Sequence, residues 1–324
     1  MLIAENLKKV YVSNIKKGFF KTEKTYVEAV KGINFKIGEG QIVGLLGING
    51  AGKTTTIKML STLLTPTEGN ITIDGIDAVK NSATVKKKIN MVAGGERMLY
   101  WRLTGRENLW YYGQLYNIEN NKLKKTIDYL LELVGLKESQ NIPVERYSKG
   151  MKQRLQIARG LINNPSYIFM DEPTLGLDAA ISKELREHVK RIAHEEGKSI
   201  LLTSHYMPEV EELCQYIYIM DKGSIIAQGT PKELALIGIE EKVLCVELYS
   251  MNNKLHQDIL KVCKNAGNCS VELDESNKVY TLKSKNDLSN EIATVLLQHK
   301  MPIKTFYTKE PKLEDAIIKL SKGA

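Results

Sequence analysis

The sequence predicts an α/β protein: a mostly parallel β-sheet covered by helices, followed by a small α+β domain. Three observations lead there. Over the first 230 residues, short apolar runs alternate with amphipathic helical patterns, as expected for a parallel sheet with helices on its faces. One of those strand-to-helix junctions carries a glycine-rich turn over 47–52. After Pro231 the character changes, because residues 240–324 contain no Arg and follow a different order of elements. At roughly 100–200 residues per domain, a chain of 324 residues has room for two.

The elements follow in order. QIVGLL (41–46) has the length and composition of a buried strand, and beyond the turn Ile57, Leu60 and Leu64 recur at helical spacing. ITIDG (71–75) is a strand ending at a turn, and from about 85 to 165 the pattern is helical throughout. Thr104 and Glu107 have capping-box spacing ahead of Leu109, Tyr112 and Tyr116, while Leu123, Ile127, Leu130 and Val134 mark a second helix. A third begins near Ser148, repeats Met151, Leu155, Ala158 and Ile162 on its buried face, and stops before Pro165. The sheet then resumes with SYIFMD (166–171). Leu185, Val189 and Ile192 lie on a helix closed by Gly197, SILLTS (199–204) is the next strand, and YIYIM (216–220) with SIIAQG (224–229) forms a closing hairpin. This gives one domain over 1–235, its helical subdomain at about 85–165, and an accessory domain over 240–324 with Pro231 and Gly238 as linker punctuation. In the accessory domain VLCVEL, CSVELDE and KVYTLKS are strands, with helices between and a last helix from Leu313.

Composition removes several classes of function. With 43% hydrophobic and 26% charged residues the chain can bury a full core. It has no apolar run near the roughly 18 residues of a spanning helix, and MLIAENLKKV does not resemble a secretion signal, so the expected location is cytoplasmic. Four cysteines without a CxxC pair argue against a disulfide scaffold or a zinc site. The net charge of +8 is spread along the chain, which favours a solvated Lys-rich surface over a nucleic-acid groove. One local excess, Lys16, Lys17, Lys21 and Lys24 with Phe19 and Phe20 among them, is expected to form a hairpin extension at a sheet edge. It would be either a solvated loop or a contact to anionic lipid or a partner.

Residues 47–54 read GINGAGKT, which fits GxxxxGK[ST] between a strand and a helix, a pattern that chance supplies in roughly one chain of this length in a hundred. Gly47, Asn49, Gly50, Ala51, Gly52, Lys53, Thr54 and Thr55 would cradle a phosphate chain with backbone N–H groups, helped by the helix dipole. Lys53 would neutralise the β and γ phosphates, and the Thr54 hydroxyl would ligate Mg²⁺. The apolar run YIFM ends in Asp171-Glu172, placing two acids at the carboxyl end of a central strand. Asp171 is then a second Mg²⁺ contact, and Glu172 the residue that polarises an attacking water.

These motifs, in this order, resemble the ATPase subunit of an ABC transporter. That resemblance implies a P-loop ATPase core with a β subdomain and an inserted all-helical subdomain, ATP and Mg²⁺ as ligands, and a head-to-tail pair of copies or of homologous subunits. It also implies a separate transmembrane permease, a peripheral place on the cytoplasmic face of the cell membrane, and no nucleic-acid partner. YSKGMKQR (147–154) is similar to the family's signature motif, with Ser148 and Gly150 in place and Lys149 and Met151 where Gly and Gln are commoner. By the same resemblance Ser148 and Gly150 serve the site of the opposite copy, Asp178 in LGLD (175–178) belongs to the loop crossing the dimer interface, and His205 contacts the γ-phosphate. Tyr11 resembles the aromatic that stacks on adenine, with Tyr26 as its rival.

Where the family usually carries a Gln, the segment 89–109 offers Gly94, Gly95 and Glu96 and no Gln. Either a water or the Glu96 carboxylate would fill that place, and Tyr100, Trp101 and Arg102 beyond it are either a docking surface or subdomain core. This segment, DKGSIIAQGTPKEL and the closing EPKLEDAIIKL resemble the ABC-2 export branch, including daunorubicin-type exporters. The expected function is therefore ATP hydrolysis coupled to export. The alternative is a non-transport ABC ATPase acting on the ribosome or on nucleic acid.

Overall fold

The computed structural model describes residues 1–17, 21–93, 99–237, 241–310 and 312–322. Two strands open the chain, β1 (Leu2–Lys17) and β2 (Lys21–Ile37), followed by β3 (Ile42–Gly47), α1 (Lys53–Leu60), β4 (Glu68–Ile73), β5 (Ile76–Asp77), α2 (Ser82–Val85) and β6 (Ile89–Ala93). Next come α3 (Gly105–Leu115), α4 (Asn120–Leu133), α5 (Lys149–Leu161), β7 (Tyr167–Asp171), α6 (Ala179–His194), β8 (Ser199–Thr203), α7 (Met207–Leu213), β9 (Tyr216–Asp221) and β10 (Ser224–Gly229). The chain closes with α8 (Pro231–Ile237), β11 (Lys242–Leu248), α9 (Asn253–Asn265), β12 (Cys269–Asp274), β13 (Val279–Ser284), α10 (Ser289–Gln298), β14 (Ile303–Lys309) and α11 (Leu313–Lys322). Contacts divide it into two units, Met1–Leu234 with Leu320–Ala324, and Ala235–Lys319.

The first unit is built on a sheet of order β10-β9-β3-β8-β7-β6, parallel except for the edge strand β10. Its central strands are buried along nearly their whole length, so they read as continuous apolar runs without alternation. The register runs Ile42↔Ile200↔Ile168 across β3, β8 and β7 and reaches Asp171↔Thr203 at the carboxyl ends. Those ends open together on one side of the sheet, where α/β folds bind ligands. A second sheet, β2-β1-β4-β5, is wholly antiparallel and shares a core with the first through Phe35, Leu45, Ile57, Ile73 and Tyr218.

The basic stretch lies on the β1–β2 hairpin. That ladder extends to Lys17↔Lys21, whereas β4 pairs with β1 only from Leu2 to Lys8, so beyond that point the hairpin is a two-stranded ribbon. Its tip, residues 18–20, falls outside the described residues.

The span 85–165 departs from the all-helical expectation at its start. Ile89–Ala93 is a strand, β6, paired in parallel with β7 from Ile89↔Tyr167 to Ala93↔Asp171. Five residues are too few for periodicity to separate a buried strand from a buried helix turn. Helix begins in earnest at Gly105, where Thr104 and Glu107 close the capping box and Asn108 bonds back to the Tyr100 and Thr104 carbonyls. The signature helix α5 packs on β6, with Gly160 so close that an added Cβ would meet Val92 Cγ2 at 2.5 Å.

The second unit is a four-stranded antiparallel sheet of order β12-β13-β11-β14 in a split β-α-β arrangement. Leu255, Ile259 and Cys263 of α9 and Ile292 and Leu296 of α10 bury one face of it against Leu244, Val246, Tyr280 and Leu282. Strand β14 was not expected from sequence, because its residues are almost all exposed and show no alternation. A chain ending at Ile237 is expected to stay soluble and retain the ATP affinity of the full chain by equilibrium titration. A soluble truncation that no longer binds ATP would place part of the nucleotide site in the second unit.

Candidate functional site

Strand β3 delivers its last residue, Gly47, into a turn that only glycine can make. A Cβ on Gly47 would lie 2.2 Å from the Met220 carbonyl oxygen, and one on Gly52, at φ +104°, would lie 2.5 Å from that of Ala29. Between them Gly50 has φ +84° and open space around it. Helix α1 then starts at Lys53 with Gly52 as N-cap, no side-chain cap and no acid in its first turn. Its leading N–H groups have no intrahelical acceptor and face outward with the positive end of the helix dipole.

Lys53 folds back over this turn, 8% exposed, and its ammonium donates to the carbonyls of Gly47 at 2.6 Å and Ile48 at 3.1 Å. Burial lowers its pKa, while Glu172 and Asp171 pull it upward. A buried cation bonded to neutral carbonyls, beside uncapped N–H groups, suits an anion as its missing counter-charge.

The acids stand at the end of β7. Thr203 Oγ1 donates to Asp171 Oδ1 at 2.6 Å, and the Glu172 N–H reaches both Thr203 Oγ1 and the Thr203 carbonyl at 3.1 Å. These bonds hold Glu172 at φ +53°, a left-handed conformation that costs a non-glycine residue roughly 1–3 kcal/mol. Glu172 Oε1 lies 2.9 Å from His205 Nε2. Burial raises the Glu172 pKa, His205 and Lys53 oppose that rise, and Asp171 adds to it. One cavity is lined by Ala29, by Asn49 through Thr55, and by Asp171, Glu172, Leu175 and His205.

The sequence-predicted residues thus divide into two groups. Gly50, Ala51, Gly52, Lys53, Thr54 and Thr55 meet Asp171, Glu172 and His205 around one cavity, with Gly47 supplying the carbonyl that Lys53 bonds. Tyr11 reaches its rim, the phenol 3.5 Å from Thr55 Oγ1 and the ring 5.7 Å from Lys9 Nζ. Tyr26 sits opposite Val12 in the hairpin and is 65% exposed. The other group is gathered elsewhere on the chain. Ser148 caps α5 by accepting the Met151 N–H at 3.2 Å, and Asp178 caps α6 by accepting that of Ile181 at 2.9 Å. A Cβ on Gly150 already falls 2.7 Å from Ile181 Cγ2, and Lys149 Nζ donates to the Gly176 carbonyl at 2.8 Å, so the two loops are joined.

Thr203, which ties both acids, gave no signal in the sequence beyond ending an apolar strand. Gly94, Gly95 and Glu96 lie outside the described residues. Tyr100 and Trp101 are 46% and 51% exposed rather than core, and Lys152 Nζ stands 4.8 Å from the Trp101 ring.

Residues 30–175 match the sequence profile of the ABC transporter family. The ABC transporter ATP-binding protein NatA of Bacillus subtilis (strain 168) is 42% identical over 215 residues, 66% of this chain and 87% of that one. The daunorubicin resistance ATP-binding protein DrrA2 of Streptomyces coeruleorubidus is 31% identical over 304 residues and 92% of each chain. Among solved structures, a dimeric bacterial ABC transporter cassette superposes with a TM-score of 0.61 at 26% identity, covering 71% of this chain and 98% of that one.

Lys53→Ala removes the buried cation from the turn. The variant is expected to lose at least about tenfold in ATP affinity by equilibrium titration, the loss of one charge-assisted contact. Unchanged affinity would count against the role of this turn.

Proposed function

Since the chain belongs to the ABC transporter family and is an ATPase, we propose that it powers export of a substrate through a separate membrane subunit of the ABC-2 type. The observation that carries the catalytic part is the 2.9 Å contact between Glu172 and His205, facing the same cavity as Lys53. In this reading the turn 47–55 and Lys53 bind the β and γ phosphates of ATP, and Tyr11 stacks on the adenine from the rim. The Thr54 hydroxyl and the Asp171 carboxylate would hold Mg²⁺, which would spread the phosphate charge. Glu172 takes the proton of the attacking water, its carboxyl made a better acceptor by burial. His205 holds Glu172 in place and faces the γ-phosphate. Because phosphoryl transfer to water is mostly positioning and charge stabilisation, no covalent nucleophile is required.

Ser148, Gly150 and Asp178 lie away from this cavity within one chain. Their use in hydrolysis therefore needs a second copy, or a homologous subunit, that closes head to tail and brings the Ser148-capped N-terminus of its α5 to the γ-phosphate. Among the described residues no helix is long and apolar enough to cross a membrane, so transport requires a partner that does. The half-exposed Tyr100 and Trp101 offer that partner an aromatic docking surface, and the chain sits peripherally on the cytoplasmic face. The export direction is supported by relatives named for linearmycin resistance, daunorubicin resistance and Nod factor export, and by the resemblance of the segments around 89–109 and 221–234 to that branch.

Glu172→Gln should keep ATP affinity, slow hydrolysis about 10²- to 10⁴-fold, and accumulate an ATP-bound dimer on size exclusion. Wild-type turnover would remove Glu172 from the role of base. Trp101→Ala should uncouple transport from hydrolysis without lowering basal ATPase activity in the isolated chain, and a membrane protein should co-purify with the wild-type chain in detergent but not with the variant.

A further inference from the structure

Glu209 is 1% exposed, and no step above uses it. It sits in the first turn of α7, where the helix dipole favours an acid. Its Oε2 accepts two hydrogen bonds, one from Ser204 Oγ at 2.5 Å and one from Thr174 Oγ1 at 2.9 Å. Thr174 follows Glu172 by two residues, and Ser204 immediately precedes His205.

The consequences are local and specific. A serine hydroxyl turns freely until an acceptor fixes it. With its O–H donating to Glu209, Ser204 keeps a lone pair for the N–H of Tyr206, which it accepts at 3.1 Å. The turn that presents His205 is therefore pinned through the residue on either side of it. Across from it, the bond to Thr174 fixes the chain beyond Glu172, which is already held at φ +53° by Thr203. The segments carrying Glu172 and His205 are thus braced twice: by Thr203 at the ends of the strands, and by a single carboxylate oxygen beyond them. Burial raises the Glu209 carboxyl pKa, and the Ser204 and Thr174 hydroxyls with the nearby Arg186 charge pull it back.

We propose that Glu209 is a positioning residue for ATP hydrolysis, which sets the spacing of Glu172 and His205 by holding Thr174 and Ser204 on one oxygen. The proposal rests on the roles given above to Glu172 and His205. It makes a claim that a purely structural acid would not satisfy: geometry at the site, and not the charge or the fold, is what Glu209 supplies. A glutamine keeps an oxygen acceptor in the same place, whereas leucine keeps the volume and removes the acceptor.

The test uses the full chain, with steady-state ATPase kinetics and ATP titration on Glu209→Gln, Glu209→Leu, Thr174→Val and Ser204→Ala. Glu209→Gln should stay within about threefold of wild-type kcat, because its amide oxygen accepts both hydroxyls. Glu209→Leu, Thr174→Val and Ser204→Ala should each lower kcat by roughly 10- to 100-fold, the scale of a misplaced catalytic group, with KM and ATP affinity within about threefold. In a His205→Ala background, Glu209→Leu should cost nothing further in kcat, since the contact it protects is already gone. The proposal is overturned if Thr174→Val and Ser204→Ala turn over at the wild-type rate, if Glu209→Gln loses as much as Glu209→Leu, or if the losses are additive with His205→Ala. Should Glu209→Leu fail to fold, Thr174→Val in the two backgrounds decides alone. Glu172→Gln run alongside separates the two levels: if it keeps wild-type turnover the reading of the site fails, and if it stops turnover while the brace variants do not, only the role of Glu209 fails.

Discussion

Thr203 stands opposite Asp171 in the parallel ladder between β7 and β8, and the acids of the site depend on that register. It places one hydroxyl where it can donate to Asp171 and receive the Glu172 N–H, so the chain leaves β7 in a left-handed turn and not in an extended line. That turn aims the Glu172 side chain at His205 and leaves Asp171 lining the cavity that Lys53 also lines. A slip of one residue between the strands would turn Asp171 to the opposite face of the sheet. Tyr167 through Met170 and Ser199 through Leu202 are buried alongside that pair, so the packed core of the sheet leads directly into the chemistry at its strand ends.

The charges explain why the site is poised for a polyanion. Lys53 is buried against carbonyls, two acids stand across the cavity, and the helix α1 presents uncapped N–H groups. Each side is costly alone: among the described residues the cation has no contacting carboxylate, and burial beside Asp171 raises the Glu172 carboxyl pKa. The oxygens of a triphosphate would answer the Lys53 side, and the Mg²⁺ proposed with it would answer the acidic side. The glycines at 47 and 52 serve this indirectly, by letting the Met220 and Ala29 backbones come close enough to shape the turn.

What could be seen in the sequence followed physical lines. His205 stood out only through the resemblance to the family, whereas the turn at 47–55 and Asp171-Glu172 were legible because they sit at strand ends, which apolar runs mark plainly. Strand β6 was not, since INMVA is too short for its period to be read, and β14 was not, since IKTFYTK buries almost nothing. Glu209 was hidden for a different reason. It stands in PEVEEL beside Glu211 and Glu212, and nothing local distinguishes the one acid that points inward from its neighbours. Only the tertiary partners, Thr174 and Ser204, make that distinction, and they come from two other segments.

The departures in the signature segment also have a physical account. Lys149, where the family more often has Gly, does not crowd the capping position of Ser148, because its side chain runs outward and donates to the Gly176 carbonyl. Gly176 accommodates it by having no side chain, at φ +71°, and an added Cβ there would meet the Lys149 ammonium at 2.2 Å. Gly150 packs against Ile181, whose own N–H is held by Asp178. Ser148, Gly150 and Asp178 are therefore linked through Lys149 and Ile181, which join the start of α5 to the loop before α6. In the head-to-tail arrangement proposed above, a second copy would meet both features on one joined stretch of surface.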